Sequence, residues 1–328
     1  MNQSLTAKDF TSDQEVRWCP GCGDYAILKA MRSTLAEIGR APHEVALISG
    51  IGCAARFPYY VSSYGFHTIH GRAPAVATGV KLANPELDVW VIGGDGDFLS
   101  IGGNHLIHAL RRNVDLNLML INNAIYGLTK GQYSPTSSVG TRSPSTPSGS
   151  VDTPMNAAAL ALGAGARFIA RSADTLLDHL PGMLKRAHAH KGASLVEIFQ
   201  NCIVYNDQVW KGMANKKTSA VHVVRAEHGE PLIFGAEREN GLSFDGHTGS
   251  MRLVEAGSSE VTLHDETNHA LASALVRMNG DDMPTAIGVL YCAPDDSFGA
   301  SIDERTPYQH LSKEDFRSIC LDGRSWTV

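Results

Sequence analysis

Two short polar motifs at a fixed spacing restrict the fold of this chain more than any other feature. A Gly-Asp-Gly tripeptide at residues 94–96 is followed, after 25 residues, by an Asn-Asn pair. The stretch around them predicts a strand, a helix and a second strand, at residues 88–93, 100–113 and 116–121. Because parallel strands joined by a helix end at the same edge of a sheet, Asp95 and Asn123 are expected to converge there.

The residue types at this edge are those that bind magnesium and a diphosphate. Mg²⁺ prefers carboxylate and neutral oxygen ligands together with water and substrate phosphates. Glycines at residues 93, 94 and 96 allow the backbone to approach phosphates closely. Glycine-rich turns also follow many parallel strands as a plain fold feature, so the tripeptide alone is a weak signal. Its pairing with Asn-Asn favours a binding site.

The cysteines form the second informative pattern. Cys19 and Cys22 make a Cys-Pro-Gly-Cys segment, and Cys53 and Cys202 follow singly, near a glycine and near a strand end. A redox pair, a zinc site and an iron-sulfur cluster are all open for these thiols. The wide spacing of the later two favours a cluster held by the whole fold. The remaining two, interpreted as ordinary thiols, are Cys292 and Cys320.

Composition and termini exclude several classes of protein. The formal net charge of -6 argues against a nucleic-acid-binding role. The amino terminus has no basic region followed by an apolar one, and no run approaches the length of a membrane span, so we expect a cytoplasmic chain without membrane contact or disulfides. We expect a main binding domain over residues 1–210 and a carboxyl-terminal extension over residues 211–328, packed on that domain or on a partner.

The spacing of the first two motifs resembles the diphosphate-binding motif of thiamine diphosphate enzymes. This resemblance implies thiamine diphosphate as cofactor, with Mg²⁺ bound by Asp95, the Asn123 side chain and the Ile125 carbonyl. It also implies an α/β fold with an open, mostly parallel sheet of the diphosphate-binding type.

Over residues 15–215 the chain resembles the β subunit of 2-oxoacid:ferredoxin oxidoreductases. In that family a Cys-x-x-Cys, the cysteine of a Gly-Ile-Gly-Cys segment and a late cysteine hold a 4Fe-4S cluster beside the cofactor. The implied ligands here are Cys19, Cys22, Cys53 and Cys202. Further matching stretches cover residues 70–72, 100–105 and 125–132.

The same resemblance implies roles for residues around the motifs. Leu128, Thr129 and Lys130 fall in a loop that lines the substrate pocket. From the residues alone Lys130 would be a solvated lysine, but a cation in that loop can pair with the second carboxylate of 2-oxoglutarate. The expected cofactor-binding residues are Gly52, Cys53, His70, Arg72, Gly94, Asp95, Gly96, Asp97, Asn123 and Ile125.

The implied reaction is the oxidative decarboxylation of a 2-oxoacid with coenzyme A, giving acyl-CoA and CO₂. Electrons would pass through the cluster to a separate ferredoxin, and the reaction could run in reverse. Only the diphosphate motif is present, so an α subunit is expected to supply the pyrimidine-side module and its activating glutamate, in an (αβ)₂ assembly. Two rival interpretations are a non-redox thiamine diphosphate decarboxylase or carboligase with structural cysteines, and a non-catalytic metal or electron-carrier protein in which the Gly-Asp-Gly turn is only a fold feature.

One further segment, residues 133–154, is dense in Ser, Thr, Pro and Gly. Its composition predicts a loop or linker that is longer than most connections. Because it follows the pocket loop directly, we expect it to cover the site.

Overall fold

A computed structural model describes residues 5–213, 216–278, 283–305 and 312–322, with the side chains of residues 216 and 217 not described. The helices in these ranges are α1 Asp24–Ile38, α2 Phe57–Tyr60, α3 Ala73–Ala83, α4 Asp95–Leu99, α5 Gly103–Arg111, α6 Ala157–Gly163, α7 Leu180–Ala189, α8 Lys216–His222, α9 His269–Leu275, α10 Phe298–Arg305 and α11 Lys313–Leu321. The strands are β1 Val45–Ser49, β2 Tyr64–His67, β3 Asp88–Gly94, β4 Asn117–Asn122, β5 Phe168–Ala173, β6 Ser194–Phe199, β7 Val223–Ala226, β8 Ile233–Phe234, β9 Asn240–Asp245, β10 Ser250–Glu255 and β11 Thr285–Cys292.

An eight-stranded sheet with the strand order β2-β1-β3-β4-β6-β5-β11-β7 forms the centre of the molecule. Its first six strands run parallel to one another. The strand β11 pairs antiparallel with β5, and β7 pairs parallel with β11. A small antiparallel sheet is made of β8, β9 and β10. The expected α/β class with an open, mostly parallel sheet is confirmed.

The central strands are buried on both faces, which explains why they are apolar runs rather than alternating ones. Along β3, Val91 packs in a core with α3, α5 and α6, whereas its neighbour Ile92 packs in the opposite core with α1 and α7. Leu118 and Met119 divide in the same way along β4. Helices on both faces leave the ends of the parallel strands as the open edge of the sheet.

Some element boundaries differ from the sequence-based expectation. The strand expected over residues 116–121 is β4, shifted by one residue, but the helix expected over residues 100–113 begins only at Gly103. The short helix α4 precedes it, directly after β3.

The carboxyl-terminal part contributes to the main sheet. The strands β7 and β11 form its last two strands, and Leu271 and Leu275 of α9 are buried in the same core as Leu290 of β11. The boundary at residue 211 stays a prediction. Within the described ranges, every helix is too short or too polar to cross a bilayer.

We expect Leu195→Ala in β6 to lower the free energy of unfolding by about 2–5 kcal/mol, because Leu195 is fully buried and its loss leaves a cavity. Leu253→Ala is the matched control, since this leucine of β10 is 51% exposed and should change stability by less than about 0.5 kcal/mol. Equilibrium urea denaturation of the full chain measures both. Equal effects would contradict the assignment of β6 to the centre of the core.

Candidate active site

Asp95 lies at the point where β3 becomes α4, and its side chain is buried. Its Oδ2 accepts hydrogen bonds from the hydroxyls of Ser134 and Thr136, at 2.5 and 2.6 Å. Burial raises the pKa of Asp95, and these two hydrogen bonds oppose the shift. A buried carboxylate with one oxygen held in this way is a strong electrostatic feature at the open edge of the sheet.

The Asn-Asn pair follows β4 and lies beside this carboxylate. The Thr136 hydroxyl that contacts Asp95 is also 2.9 Å from Oδ1 of Asn122. That Oδ1 accepts from the Ala124 backbone N–H, and Oδ1 of Asn123 accepts from the Ile125 N–H, both at 3.2 Å. Ala124 takes a left-handed conformation with φ 52°. One hydroxyl therefore joins the Gly-Asp-Gly turn to the Asn-Asn turn.

Two of the three glycines at residues 93, 94 and 96 make room for aromatic rings. A Cβ on Gly96 would lie 2.1 Å from the ring of Tyr126, and a Cβ on Gly93 would lie 2.2 Å from the ring of Phe98. The Tyr126 hydroxyl donates to the Gly96 carbonyl at 3.4 Å. By contrast, a Cβ on Gly94 would meet only the Ile121 carbonyl, at 3.9 Å. Two of these glycines are therefore required by packing.

Asp97 ties the ends of three neighbouring strands together. Its Oδ1 accepts from the backbone N–H of Ile51, after β1, and of Gly71, after β2, at 3.0 and 2.8 Å. Burial raises the pKa of Asp97, and the two backbone hydrogen bonds oppose this. The expected phosphate-contacting residues His70 and Arg72 flank this junction and are exposed.

Two of the cysteine sulfurs lie close to Gly127. A Cβ built on this glycine would lie 3.5 Å from Sγ of Cys202 and 3.7 Å from Sγ of Cys53. Cys19 and Cys22 form a turn closed by a 3.0 Å backbone hydrogen bond. Three loops that are distant in sequence thus bring thiols to the same side of the sheet edge.

The thiols of Cys22 and Cys53 are half-buried and electrostatically coupled. Burial raises the pKa of Cys53 to about 12, with further contributions from Asp24, Cys202 and Cys19. Burial also raises the pKa of Cys22, helped by Asp24 and Cys53. Thiols in such surroundings ionise only beside strong positive charge. Among the described residues, no three His, Cys, Asp or Glu side chains already stand in a metal-binding arrangement.

The loop after β6 connects the thiols to the Asn-Asn turn. It contains Cys202, whose carbonyl accepts from the Asn206 N–H at 2.9 Å. The Asn206 side chain donates to the carbonyls of Asn123 and Ala124, at 2.9 and 3.0 Å. The indole of Trp210 donates to the Asn122 carbonyl at 2.9 Å. A single loop therefore supports both parts of the site.

The predicted pocket loop is a tight turn closed by hydrogen bonds between Tyr126 and Gln132. Its tip carries three exposed side chains, Leu128, Thr129 and Lys130. Leu128 lines a surface cavity together with Gly52. The turn follows the Asn-Asn pair directly, so its tip projects from the edge where the two motifs meet.

Several site residues were not found by sequence reasoning, namely Ser134, Thr136, Asn206 and Trp210. The first two belong to the segment of residues 133–154, which was expected to be a loop or linker covering the site. Its Ser and Thr content was the available signal, because hydroxyls are suitable partners for a buried carboxylate. Asn206 and Trp210 gave no pattern of their own.

Comparison with known proteins identifies the family. Residues 50–198, which contain both motifs, match the family model of the thiamine pyrophosphate enzyme C-terminal TPP-binding domain. The chain is 50% identical over 292 residues to the 2-oxoglutarate oxidoreductase subunit KorB of Mycobacterium tuberculosis, covering 88% of this chain and 78% of that relative. The chain belongs to the β subunits of 2-oxoacid:ferredoxin oxidoreductases.

Other relatives agree with this assignment. The β subunit of 2-oxoacid:ferredoxin oxidoreductase 1 from Aeropyrum pernix is 47% identical over 190 residues, which cover 58% of this chain and 60% of that relative. A solved structure of 2-oxoglutarate:ferredoxin oxidoreductase from Magnetococcus marinus is also similar. Its TM-score is 0.78 at 32% identity, covering 97% of both chains.

Membership confirms the family resemblance and the thiamine diphosphate cofactor inferred from the motifs. The chain is one subunit of an oxidoreductase, and a β subunit implies an α partner. This excludes the interpretation as a non-catalytic electron carrier.

We expect Thr136→Val to weaken thiamine diphosphate binding roughly tenfold, or about 1.4 kcal/mol, because it removes the hydroxyl shared by Asp95 and Asn122. Thr141→Val is the matched control, since the hydroxyl of Thr141 donates to the Ser138 carbonyl on the exposed side of the same segment. Isothermal titration calorimetry of the enzyme purified with its partner gives both affinities. Equal affinities for the two variants would show that the bridge is dispensable.

Proposed function

We propose that this chain is the β subunit of a 2-oxoglutarate:ferredoxin oxidoreductase that also binds Mg²⁺ and a 4Fe-4S cluster. The proposed reaction converts 2-oxoglutarate and coenzyme A to succinyl-CoA and CO₂. The observation that carries this proposal is the loop after β6, which holds Cys202 and also hydrogen-bonds to the Asn-Asn turn. The Magnetococcus relative, in its solved structure, has 2-oxoglutarate, coenzyme A and succinyl-CoA bound.

In this proposal the magnesium ligands are Asp95, the Asn123 side chain and the Ile125 carbonyl. The donor set suits Mg²⁺, which takes hard oxygen ligands and shares them with phosphates. Asp95 supports the assignment because its carboxylate is buried and only its Oδ2 is held by hydroxyls. A cation there would offset the cost of burying the carboxylate.

The proposed cluster ligands are the first four cysteines of the chain, Cys19, Cys22, Cys53 and Cys202. Their mutual electrostatic interaction and the burial of two of them support this assignment. Cys53 is also fixed through its carbonyl, which accepts from the Trp18 indole at 2.8 Å. A bound cluster supplies one-electron acceptor chemistry beside the cofactor.

Bound thiamine diphosphate supplies the carbon nucleophile for decarboxylation. The chain's own part is to hold the diphosphate at the strand ends and to line the substrate approach. We assign the diphosphate contacts to the Gly-Asp-Gly turn and to the Asp97 junction. The groups near that junction with suitable chemistry are the half-buried Gly52 and the exposed His70 and Arg72.

Lys130 is the proposed substrate-selecting residue. It is exposed at the tip of the loop between Tyr126 and Gln132, in a left-handed conformation with φ 78°. A lysine held in this position by the backbone can pair with the distal carboxylate of a dicarboxylic 2-oxoacid. Pyruvate has no such carboxylate, so the pairing would discriminate between the two.

The proposed partners are an α subunit that carries the pyrimidine-side module with its activating glutamate, a ferredoxin, and coenzyme A, in an (αβ)₂ assembly. Membership among β subunits supports the need for an α subunit. We also propose that the carboxyl-terminal residues outside the main sheet pack on this partner.

The direct test is to co-express this chain with its α partner and follow 2-oxoacid-dependent and coenzyme A-dependent reduction of a viologen dye under anaerobic conditions. We expect reduction with 2-oxoglutarate. CO₂ release without dye reduction would instead support the non-redox decarboxylase interpretation.

We expect Cys53→Ser to lose most of the iron and the visible absorbance of the anaerobically purified complex, because Cys53 is a proposed cluster ligand. Cys292→Ser is the matched control, since Cys292 is also half-buried but lies at the end of β11. Iron analysis and absorbance spectra measure both. Full iron content in Cys53→Ser would remove it from the ligand set.

We expect Lys130→Ala to lower kcat/KM for 2-oxoglutarate by roughly 10-fold to 100-fold, as for loss of one charge-assisted hydrogen bond, and to leave pyruvate within about twofold. Lys29→Ala, at an exposed position of α1, is the control for loss of a lysine charge. Steady-state viologen assays with both substrates measure the ratio. Equal losses for the two substrates would refute carboxylate pairing.

A further inference from the structure

The most deeply buried ion pair among the described residues joins two strands behind the site. Arg171 of β5 and Glu197 of β6 are directly opposite each other in the parallel register. Their Nε and Oε2 atoms are 2.7 Å apart, and only 4% and 2% of the side chains are exposed. Neither residue belongs to the two motifs or to the thiol loops.

The second oxygen of Glu197 contacts the Asn-Asn turn. Its Oε1 accepts from Nδ2 of Asn122 at 2.9 Å. Because an ionised carboxylate only accepts, the Asn122 amide has to direct its N–H₂ group toward Glu197. Its Oδ1 then accepts from the Ala124 N–H and lies 2.9 Å from the Thr136 hydroxyl oxygen. A reversed amide would place Nδ2 of Asn122 against the Ala124 N–H, donor against donor, and Oδ1 of Asn122 against Oε1 of Glu197, acceptor against acceptor.

Arg171 is itself fixed from the side opposite Glu197. One terminal nitrogen donates to the Val276 carbonyl at 3.2 Å, and the other donates to Oδ1 of Asn156 at 3.0 Å. The guanidinium also lies over the ring of Phe199, 5.7 Å from its centroid. These contacts leave the guanidinium a single geometry, in which it holds one oxygen of Glu197.

Stability alone is a poor explanation for this pair. Burying two charges is costly, and apolar side chains of similar volume often replace a buried pair without loss of stability. We propose that Glu197 is a positioning residue for cofactor binding, because it fixes the amide of Asn122. Arg171 holds the carboxylate in place, and the fixed amide sets the backbone that presents Asn123 and Ile125. The inference rests on the proposed magnesium site at that turn.

The test replaces the pair with apolar side chains in the double variant Glu197→Leu/Arg171→Met, purified with the α partner. We expect normal iron content and a thermal unfolding midpoint near that of the wild type. The Kd for thiamine diphosphate and the Mg²⁺ concentration at half-saturation should each rise at least about tenfold, as when support of a metal ligand is lost. Wild-type values for both in the folded variant would overturn the proposal.

The control is Arg167→Met/Asp295→Leu, which removes a 2.6 Å pair with 41% and 53% of the side chains exposed. It should leave cofactor and Mg²⁺ binding unchanged, and an equal defect there would overturn the specific role of the buried pair. A wild-type complex that binds thiamine diphosphate equally with and without Mg²⁺ would instead refute the proposed magnesium site.

If the double variant does not fold, Glu197→Gln is the second variant. Its side chain has one acceptor oxygen in place of two, so it cannot serve both Arg171 and Asn122. We again expect a rise of about tenfold in the Mg²⁺ requirement with iron retained. An unchanged Mg²⁺ requirement, or loss of folding in both variants, would show that the pair serves the fold itself.

Discussion

The free-energy cost of burying a carboxylate at the end of a strand must be compensated by hydrogen bonds or by an opposite charge. The buried Asp95 therefore constrains the residues around it. The hydroxyls of Ser134 and Thr136 provide part of the compensation and hold this part of the segment of residues 133–154 at the end of β3. The segment also donates through Ser137 to the Ala124 carbonyl at 2.6 Å. What composition describes as a linker is therefore an ordered part of the site, held by hydrogen bonds to its acidic residue.

The parallel sheet determines which loops can take part. The strands β1, β3, β4 and β6 lie side by side in the same direction, so the loops after them share one edge. Those loops carry Cys53, Asp95, Asn123 and Cys202, which are far apart in sequence. The order of the strands therefore places the two motifs beside the loops that carry Cys53 and Cys202. A separate cysteine-rich module is not needed for this.

Sequence reasoning succeeded where the signal was local. The central strands are continuous apolar runs, and the boundaries of β3 and β4 were predicted within one residue. The motif residues were found because their spacing is itself the signal. Contacts such as that of Asn206 with Asn123, which are 83 residues apart, have no local pattern and follow only from the assembled sheet. The placement of β11 antiparallel beside β5 was hidden for the same reason.

The contact between Arg171 and the Val276 carbonyl has a practical consequence for the carboxyl-terminal half of the chain. Asn156, the N-cap of α6, donates to the same carbonyl at 2.6 Å. A polypeptide cut before α9 would lack the Val276 carbonyl, so the side chains of Arg171 and Asn156 would lose an acceptor. Proteolysis or truncation of the chain in that region should therefore first weaken the binding of thiamine diphosphate.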